Sequence, residues 1–363
     1  MDIESAHRIQ AFIERRDHWF APFAAPPSDW PAPEQLSFGR YLAPLVIRSR
    51  WSPAAHWSAP QVVPRGDALV SIASGTVQYG LSVFEGLKAY RAADGSAHLF
   101  RPREHAMRLR TSAARLGLPE IDEPLFLQAC QDAVRVHDGF LPPHGRGSLY
   151  LRPTIAATEE ALGYRAAIEH QFSVTVMPCC DPPLKTMMLW AEPELTRAAA
   201  GGLGAAKTGG NYAAGLLGQL RARERGFDDV AWLDSETHSQ LAEAGTMNLF
   251  VEVDHTWITP PLDGTILPGV TRDTLIALLR EDGLRVEEAV LDLKELARLE
   301  RAGRVGGALG TGTAARLVRI SAISGPRTSV QFRDGGHALR FARRLKQVQE
   351  GGPSDHPEWC VRV

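Results

Sequence analysis

The stretch GGLGAAKTGGNYAAG, residues 201–215, places Lys207 among glycines and alanines, and no acid occurs in the ten residues that follow it. Lysine ordinarily stands on a solvated face among other charges. Small neighbours leave room beside it for a flat ring, and desolvation there favours the neutral amine that a nucleophile needs. Of 40 basic residues, the lysines are Lys88, Lys185, Lys207, Lys294 and Lys346. Lys294 (DLKEL) and Lys346 (RRLKQ) lie on charged helical faces, and Lys185 lies in a proline-rich connector. Lys88 (GLKAY), on a strand, is the weaker rival to Lys207 for carbonyl chemistry.

Two strings nearby in type suit an anion. GTGTAA (310–315) reads as a turn of exposed N–H groups and hydroxyls, and LPGVTRDTL (267–275) as a Pro-Gly turn opening a helix near Thr271. Each string alone reads equally well as a plain turn. Together with Lys207 they suggest one small phosphorylated cofactor. Two decoys are weaker. Residues 201–208 nearly spell a phosphate loop, but Ala206 replaces its second glycine. Lys207 also runs into Gly209, Gly210 and Asn211, poor helix formers where such a loop enters a helix. GTGTAA matches a dinucleotide-binding string, yet about fifty residues follow it, too few for that fold. A pyridine-ring cofactor also needs an acid at its nitrogen. Glu243 in LAEAGTMNLF, an isolated carboxylate before an apolar strand, offers one, with a surface-turn carboxylate as the plain alternative.

These groups need elements to hold them. Helical patterns cover 4–16, 102–117, 123–137, 212–225, 272–282, 293–303 and 337–348. Strand patterns cover ALVSIAS (68–74), SAHLFR (96–101), 148–156, 171–178, 230–234 and 247–253. Proline-rich connectors occupy 21–33 and 178–186, the second with the composition of an interdomain linker. The mixed order predicts an α+β fold. Its domains are 1–177, a small α/β domain with an N-terminal extension, and 187–363, a large cofactor-binding domain, joined by the linker 178–186.

Composition narrows the setting. The chain has 363 residues, a net charge of -2, 44% hydrophobic and 23% charged residues. That balance gives no basic surface for nucleic acid or an anionic membrane. Apolar runs are too short to span a bilayer, and MDIESAHRIQ lacks the apolar core of a signal peptide. Cys130, Cys179, Cys180 and Cys360 show neither a disulfide framework nor metal-ligand spacing. A cytoplasmic protein without a metal site is expected.

Seven segments now carry a resemblance. QYGLSVFEGLKAYR, LFRP with MRLRTSAARLGLP, LYLRPT, KTGGNYA, LAEAGTMNLFV, PPLDGTILPGVTRDTL and GTGTAA occur in the order found in branched-chain amino-acid aminotransferases. These are pyridoxal 5'-phosphate enzymes of fold type IV, and the resemblance spans about residues 38–345. It implies a small α/β domain, a larger domain with a barrel-like sheet, and a homodimer. By resemblance Lys207 holds the cofactor covalently, Glu243 faces its ring nitrogen, Tyr212 its ring hydroxyl, and Leu267 packs on the ring. Arg108, Val270, Thr271 and Thr313 match the phosphate ligands. Phe38, Tyr79, Phe84, Tyr150, Arg152, Tyr164, Thr246 and Ala314 match the substrate pocket.

The chain also departs from that pattern. MPCCDPP (177–183) replaces the usual Pro-Val-Gly segment that ends the small domain. Tyr164 stands where valine is usual and Asp229 where glutamine is common. The Cys-x-x-Cys of some members is absent, with Ala315 and Val318 in its place. The expected reaction transfers an amino group between an apolar L-amino acid and 2-oxoglutarate. Alternatives are a specialised non-protein amino acid as donor, a D-amino-acid aminotransferase, an aminodeoxychorismate-lyase type enzyme, or a catalytically inactive binding subunit.

Overall fold

The computed structural model describes residues 26, 30–31, 35–36, 38–181, 183–353 and 355–363. The helix expected over 4–16, and most of the connector at 21–33, lie outside the described residues. The chain divides into two compact units, one running to Asp181 with Gln347–Val363 added, the other covering residues 182–346.

The first unit is built on an antiparallel sheet. Its strands are β1 (Leu45–Ser52), β2 (His56–Trp57), β3 (Gln61–Pro64), β4 (Ser82–Phe84), β5 (Leu87–Arg91), β6 (Ala97–Phe100), β7 (Gly147–Ala157) and β8 (His170–Cys180). The longest pairing joins β7 to β8, from Gly147 opposite Cys180 to Ala157 opposite His170. Gly147 is required at that edge: at φ 154° a Cβ would lie 2.2 Å from the Cys179 carbonyl oxygen. Two helices, Pro102–Arg115 and Glu123–Val136, contribute to the same core. The second opens on Asp122, whose carboxylate accepts from Leu125 N–H at 2.8 Å. It buries Phe126, Ala129, Cys130 and Ala133, the three- and four-residue spacing of one helix face.

Three expectations change here. ALVSIAS is not a strand: a short 3-10 turn at Arg65–Asp67 leads into irregular chain, and Ser74 caps the helix Gly75–Tyr79. Leu69 and Ile72 are exposed, so the run lacks the burial that would make it a sheet strand. The first residues of the expected linker, 178–180, continue β8 by pairing with β7. The C-terminal tail, grouped by sequence with the larger domain, joins the first unit. There a final strand, Cys360–Arg362, pairs with β6, and Trp359 meets Phe100 edge-on at 6.0 Å.

The second unit contains β9 (Thr186–Ala191), β10 (Asp229–Leu233), β11 (Leu241–Ala244), β12 (Met247–Val253), β13 (Thr256–Thr259), β14 (Arg285–Glu288), β15 (Val305–Gly312), β16 (Arg316–Ser324) and β17 (Ser329–Gln331). The order β11-β10-β9-β16-β15-β12 returns to β11, so these strands close a barrel. β9 and β10 are parallel, which demands a crossover, and the helix Gly209–Glu224 lies in it. Lys207 sits just before that helix. The helix begins at Gly209, not 212, with Thr208 as its extended cap residue. Its glycines therefore do not delay it, and Ala206 remains as the sequence argument against a phosphate loop. Among the described residues, no helix is long and apolar enough to cross a membrane.

Candidate active site

Lys207 lines a cleft in the second unit that is open to solvent. Its lining also includes Arg197, Ala206, Asn211, Tyr212, Gly215, Gln219, Trp232, Glu243, Gly245, Thr246 and Leu267. The side-chain amide of Asn211 donates to the carbonyls of Leu203 and Ala206, both at 2.8 Å. Those bonds fold the lysine loop back onto the start of its helix. Lys207 Nζ then lies 3.0 Å from Tyr212 Oη. Tyr212, Gly215 and Gln219 are spaced three and four residues apart and share one helix face. Beneath that face Trp232 fills the space left by two glycines. A Cβ at Gly218 would come within 2.4 Å of its ring. Its indole N–H donates to Gly245 O at 3.1 Å, fixing the turn that carries Thr246.

Glu243 is on β11, not on a helix or a surface turn, and is 4% exposed. One oxygen accepts from Leu267 N–H at 3.1 Å and from the Asn248 amide at 3.3 Å. The other lies 2.8 Å from an Arg197 guanidinium nitrogen. Arg197, Asn248 and Leu267 together hold this buried carboxylate in one orientation.

The third feature is the start of the helix Val270–Glu281. It begins after Gly269, which has no side chain to cap it, and the positive end of the helix dipole at Val270 and Thr271 favours a negatively charged group. Asn248 ties this start to the barrel, its amide donating to Leu267 O at 2.9 Å. Asn248 also pairs across strands with Thr311 of β15, two residues before Thr313 in the β15–β16 turn that also carries Ala314. Asp229, on β10, accepts from Val230 N–H at 2.8 Å, and burial pushes its carboxyl above the usual range.

The remaining expected residues belong to the first unit and form clusters of their own. Arg108 is buried, with Nε 2.6 Å and Nη2 2.9 Å from the two oxygens of Glu85. His105 Nδ1 reaches the same carboxylate at 2.7 Å. Burial would raise the Glu85 carboxyl, but the Arg108 and His105 charges and hydrogen bonds outweigh it and hold it well below the usual range. Tyr150 and Arg152 project from the same side of β7. Arg152 Nη2 donates to Tyr150 Oη at 2.9 Å, and its guanidinium lies 4.7 Å from the Phe84 ring centre. Phe38 meets Tyr150 edge-on at 5.0 Å. Gly86 makes the notch for that phenol, since a Cβ there would lie 2.0 Å from its oxygen. Tyr79 and Tyr164 form a separate edge-on pair at 5.4 Å. Lys88, the rival lysine, is buried on β5 of this unit.

Sequence reasoning missed Arg197, Asn248, Glu85 and Trp232. Asn248 carried a signal, a polar residue inside the apolar run MNLFVEV. Arg197 had none in a chain this rich in arginine.

Comparison with known proteins bears on this arrangement. The sequence profile of the family described as Amino-transferase class IV matches residues 82–323. A branched-chain-amino-acid aminotransferase of Mycolicibacterium smegmatis is 36% identical over 337 residues, covering 90% of this chain and 92% of that one. The branched-chain amino acid aminotransferase of Escherichia coli superposes with a TM-score of 0.69 at 27% identity, over 86% of this chain and 98% of that one. The Thermobaculum terrenum enzyme in its PLP form gives a TM-score of 0.71 at 24% identity, over 86% and 97%.

Proposed function

The chain belongs to the class IV aminotransferases, enzymes that use pyridoxal phosphate, and on that premise we propose that it moves an amino group between a branched-chain L-amino acid and 2-oxoglutarate. The observation that carries this reading is Lys207 Nζ at 3.0 Å from Tyr212 Oη, in a cleft that also holds the Arg197-paired carboxylate of Glu243.

The donor set fits the cofactor. Lys207 offers an amine for its carbonyl carbon, Tyr212 a phenol for the ring hydroxyl, and Glu243 a buried carboxylate for the ring nitrogen. Leu267 supplies apolar contact. The helix start at Val270 and Thr271, with Thr313, suits the phosphate, and the family resemblance adds Arg108, which is bound to Glu85 in the first unit. When bound, the cofactor supplies an electron sink for charge at the substrate Cα. Lys207 would hold the cofactor through its amine, and as a free amine it would take the proton from the substrate Cα. A positioned base of this kind contributes roughly 10²–10⁴-fold. Tyr212 orients the amine. The planar fork of Arg152 suits the γ-carboxylate of 2-oxoglutarate, and Phe38 and Phe84 suit an apolar side chain. The enzyme is read as a cytoplasmic homodimer, as the resemblance implies.

A second reading, a non-protein apolar amino acid as donor, is favoured by Tyr164. It is 86% exposed, pairs with Tyr79, and brings an aromatic ring where valine is usual. A panel of amino donors with 2-oxoglutarate tests both, scored by glutamate formed. Leucine, isoleucine and valine should lead it. Turnover confined to non-protein donors would favour the second reading, and turnover of D-alanine alone would sink both.

A further inference from the structure

Arg197 stands at a junction of three segments in the second unit. Its guanidinium lies 2.8 Å from Glu243, donates to Thr265 O at 2.5 Å, and reaches Gly204 O at 3.3 Å. Gly204 belongs to the loop that carries Lys207, and Thr265 to the loop that leads to Leu267 and the helix start at Val270. These loops touch backbone to backbone: a Cβ at Gly204 would sit 2.3 Å from Thr265 O. One side chain therefore grips the acid and both loops on which the lysine and the ring-packing leucine ride. Glu243 is buried, at 5% side-chain exposure, and Arg197 is largely covered, at 11%. A pair this dry is strongly coupled, and losing one member leaves the other an uncompensated charge.

We propose that Arg197 is a positioning residue of the cofactor pocket, acting through Glu243: it fixes the orientation and negative charge of that carboxylate, and so sets how firmly the pocket holds a protonated ring nitrogen. The alternative is a staple that merely holds two loops together. The two differ in one respect. A staple contributes whether or not residue 243 is charged, whereas a charge partner contributes only when it is. The asymmetry of the contacts favours the charge role. Two carbonyl oxygens and one carboxylate surround Arg197, and of these the carboxylate gains most from a full positive charge.

This inference rests on the pyridoxal-phosphate reading, and the test separates the two. Wild type, Arg197→Met, Arg197→Lys, Glu243→Gln and the double variant Arg197→Met/Glu243→Gln are stripped of cofactor and titrated with pyridoxal phosphate. Affinity and the pH titration of the visible band are both read. Failure of wild type to take up the cofactor would remove the underlying reading. With uptake intact, Arg197→Met should weaken binding about tenfold or more, the scale of a coupled charge pair, and should displace the midpoint of the band's pH titration. Arg197→Lys should recover part of that affinity. In the Glu243→Gln background, Arg197→Met should cost little. Equal losses in both backgrounds, or an unmoved pH titration in Arg197→Met, would make Arg197 a staple and overturn the proposal. If Arg197→Met does not fold, the Arg197→Lys cycle with Glu243→Gln decides by the same criterion.

Discussion

Glu243 and Asn248 face each other across the β11–β12 hairpin, and both reach Leu267: the carboxylate accepts its N–H and the amide donates to its carbonyl. Two polar side chains of one hairpin thereby hold the residue expected to pack on the cofactor ring. Hydrogen bonds thus tie the acid and the ring contact to the loop that leads into the helix start.

Glu243→Gln tests the acid. The amide keeps the size and one acceptor but removes the charge that favours a protonated ring nitrogen. The variant should still bind pyridoxal phosphate, while kcat falls by about 10²-fold or more, as for loss of electrostatic stabilisation at a developing charge. Stopped-flow measurement of the half-reaction with leucine checks it. Near-normal turnover would assign the role to another acid.

Arg152→Met tests the dual-substrate pocket. The variant keeps bulk against Phe84 and removes the planar fork. Losing one partner of a buried charge pair costs about 2–5 kcal/mol, so kcat/KM for glutamate and 2-oxoglutarate should fall roughly 30-fold or more. The leucine half-reaction should suffer far less. Equal losses in separate single-turnover experiments would make Arg152 structural, or a ligand of the α-carboxylate common to every substrate.

Gly218→Ala tests the packing under the catalytic helix. The new methyl would meet Trp232 at 2.4 Å, an overpacking that costs about 1–3 kcal/mol and displaces the helix bearing Tyr212. Melting temperature and kcat/KM should both fall. Gly210→Ala, where nothing lies within 4 Å of the added carbon, is the control and should leave the melting temperature unchanged or raise it.

His137 predicts an acid limb of stability. Burial lowers it from the ordinary 6.5 to about 4, with a partial opposing effect from its hydrogen bond to Ala133 O. The unfolded chain therefore binds a proton through this window and the folded one does not. Stability is complete above pH 6.5 and declines as pH falls toward 4, by about 3 kcal/mol in total. Thermal unfolding against pH should show that decline, and His137→Phe should reduce it, leaving the share of His170, which burial also lowers to about 4. An unchanged acid limb in the variant would assign it to other groups.

Much of this architecture was legible because its signals are local. The helices at 102–117 and 123–137 announce themselves by Pro102, Asp122 and a clean apolar period. Lys207 stood out by the small residues around it, and Glu243 by its isolation. What escaped depends on contacts between distant segments. Arg197 matters through residues up to 68 positions away, and one arginine among many carries no mark of that. ALVSIAS misled because an apolar run suggests burial, yet Leu69 and Ile72 face outward. The tail's return to β6 likewise had no local sign, since three residues suffice to pair an edge.

The most direct measurement is borohydride reduction of the purified protein with pyridoxal phosphate, followed by peptide mapping. The account predicts a visible band near ~410–420 nm that reduction abolishes, with the pyridoxyl label on Lys207 and no band in Lys207→Ala. Label on Lys88, or a Lys207→Ala protein that stays yellow after dialysis, would contradict it.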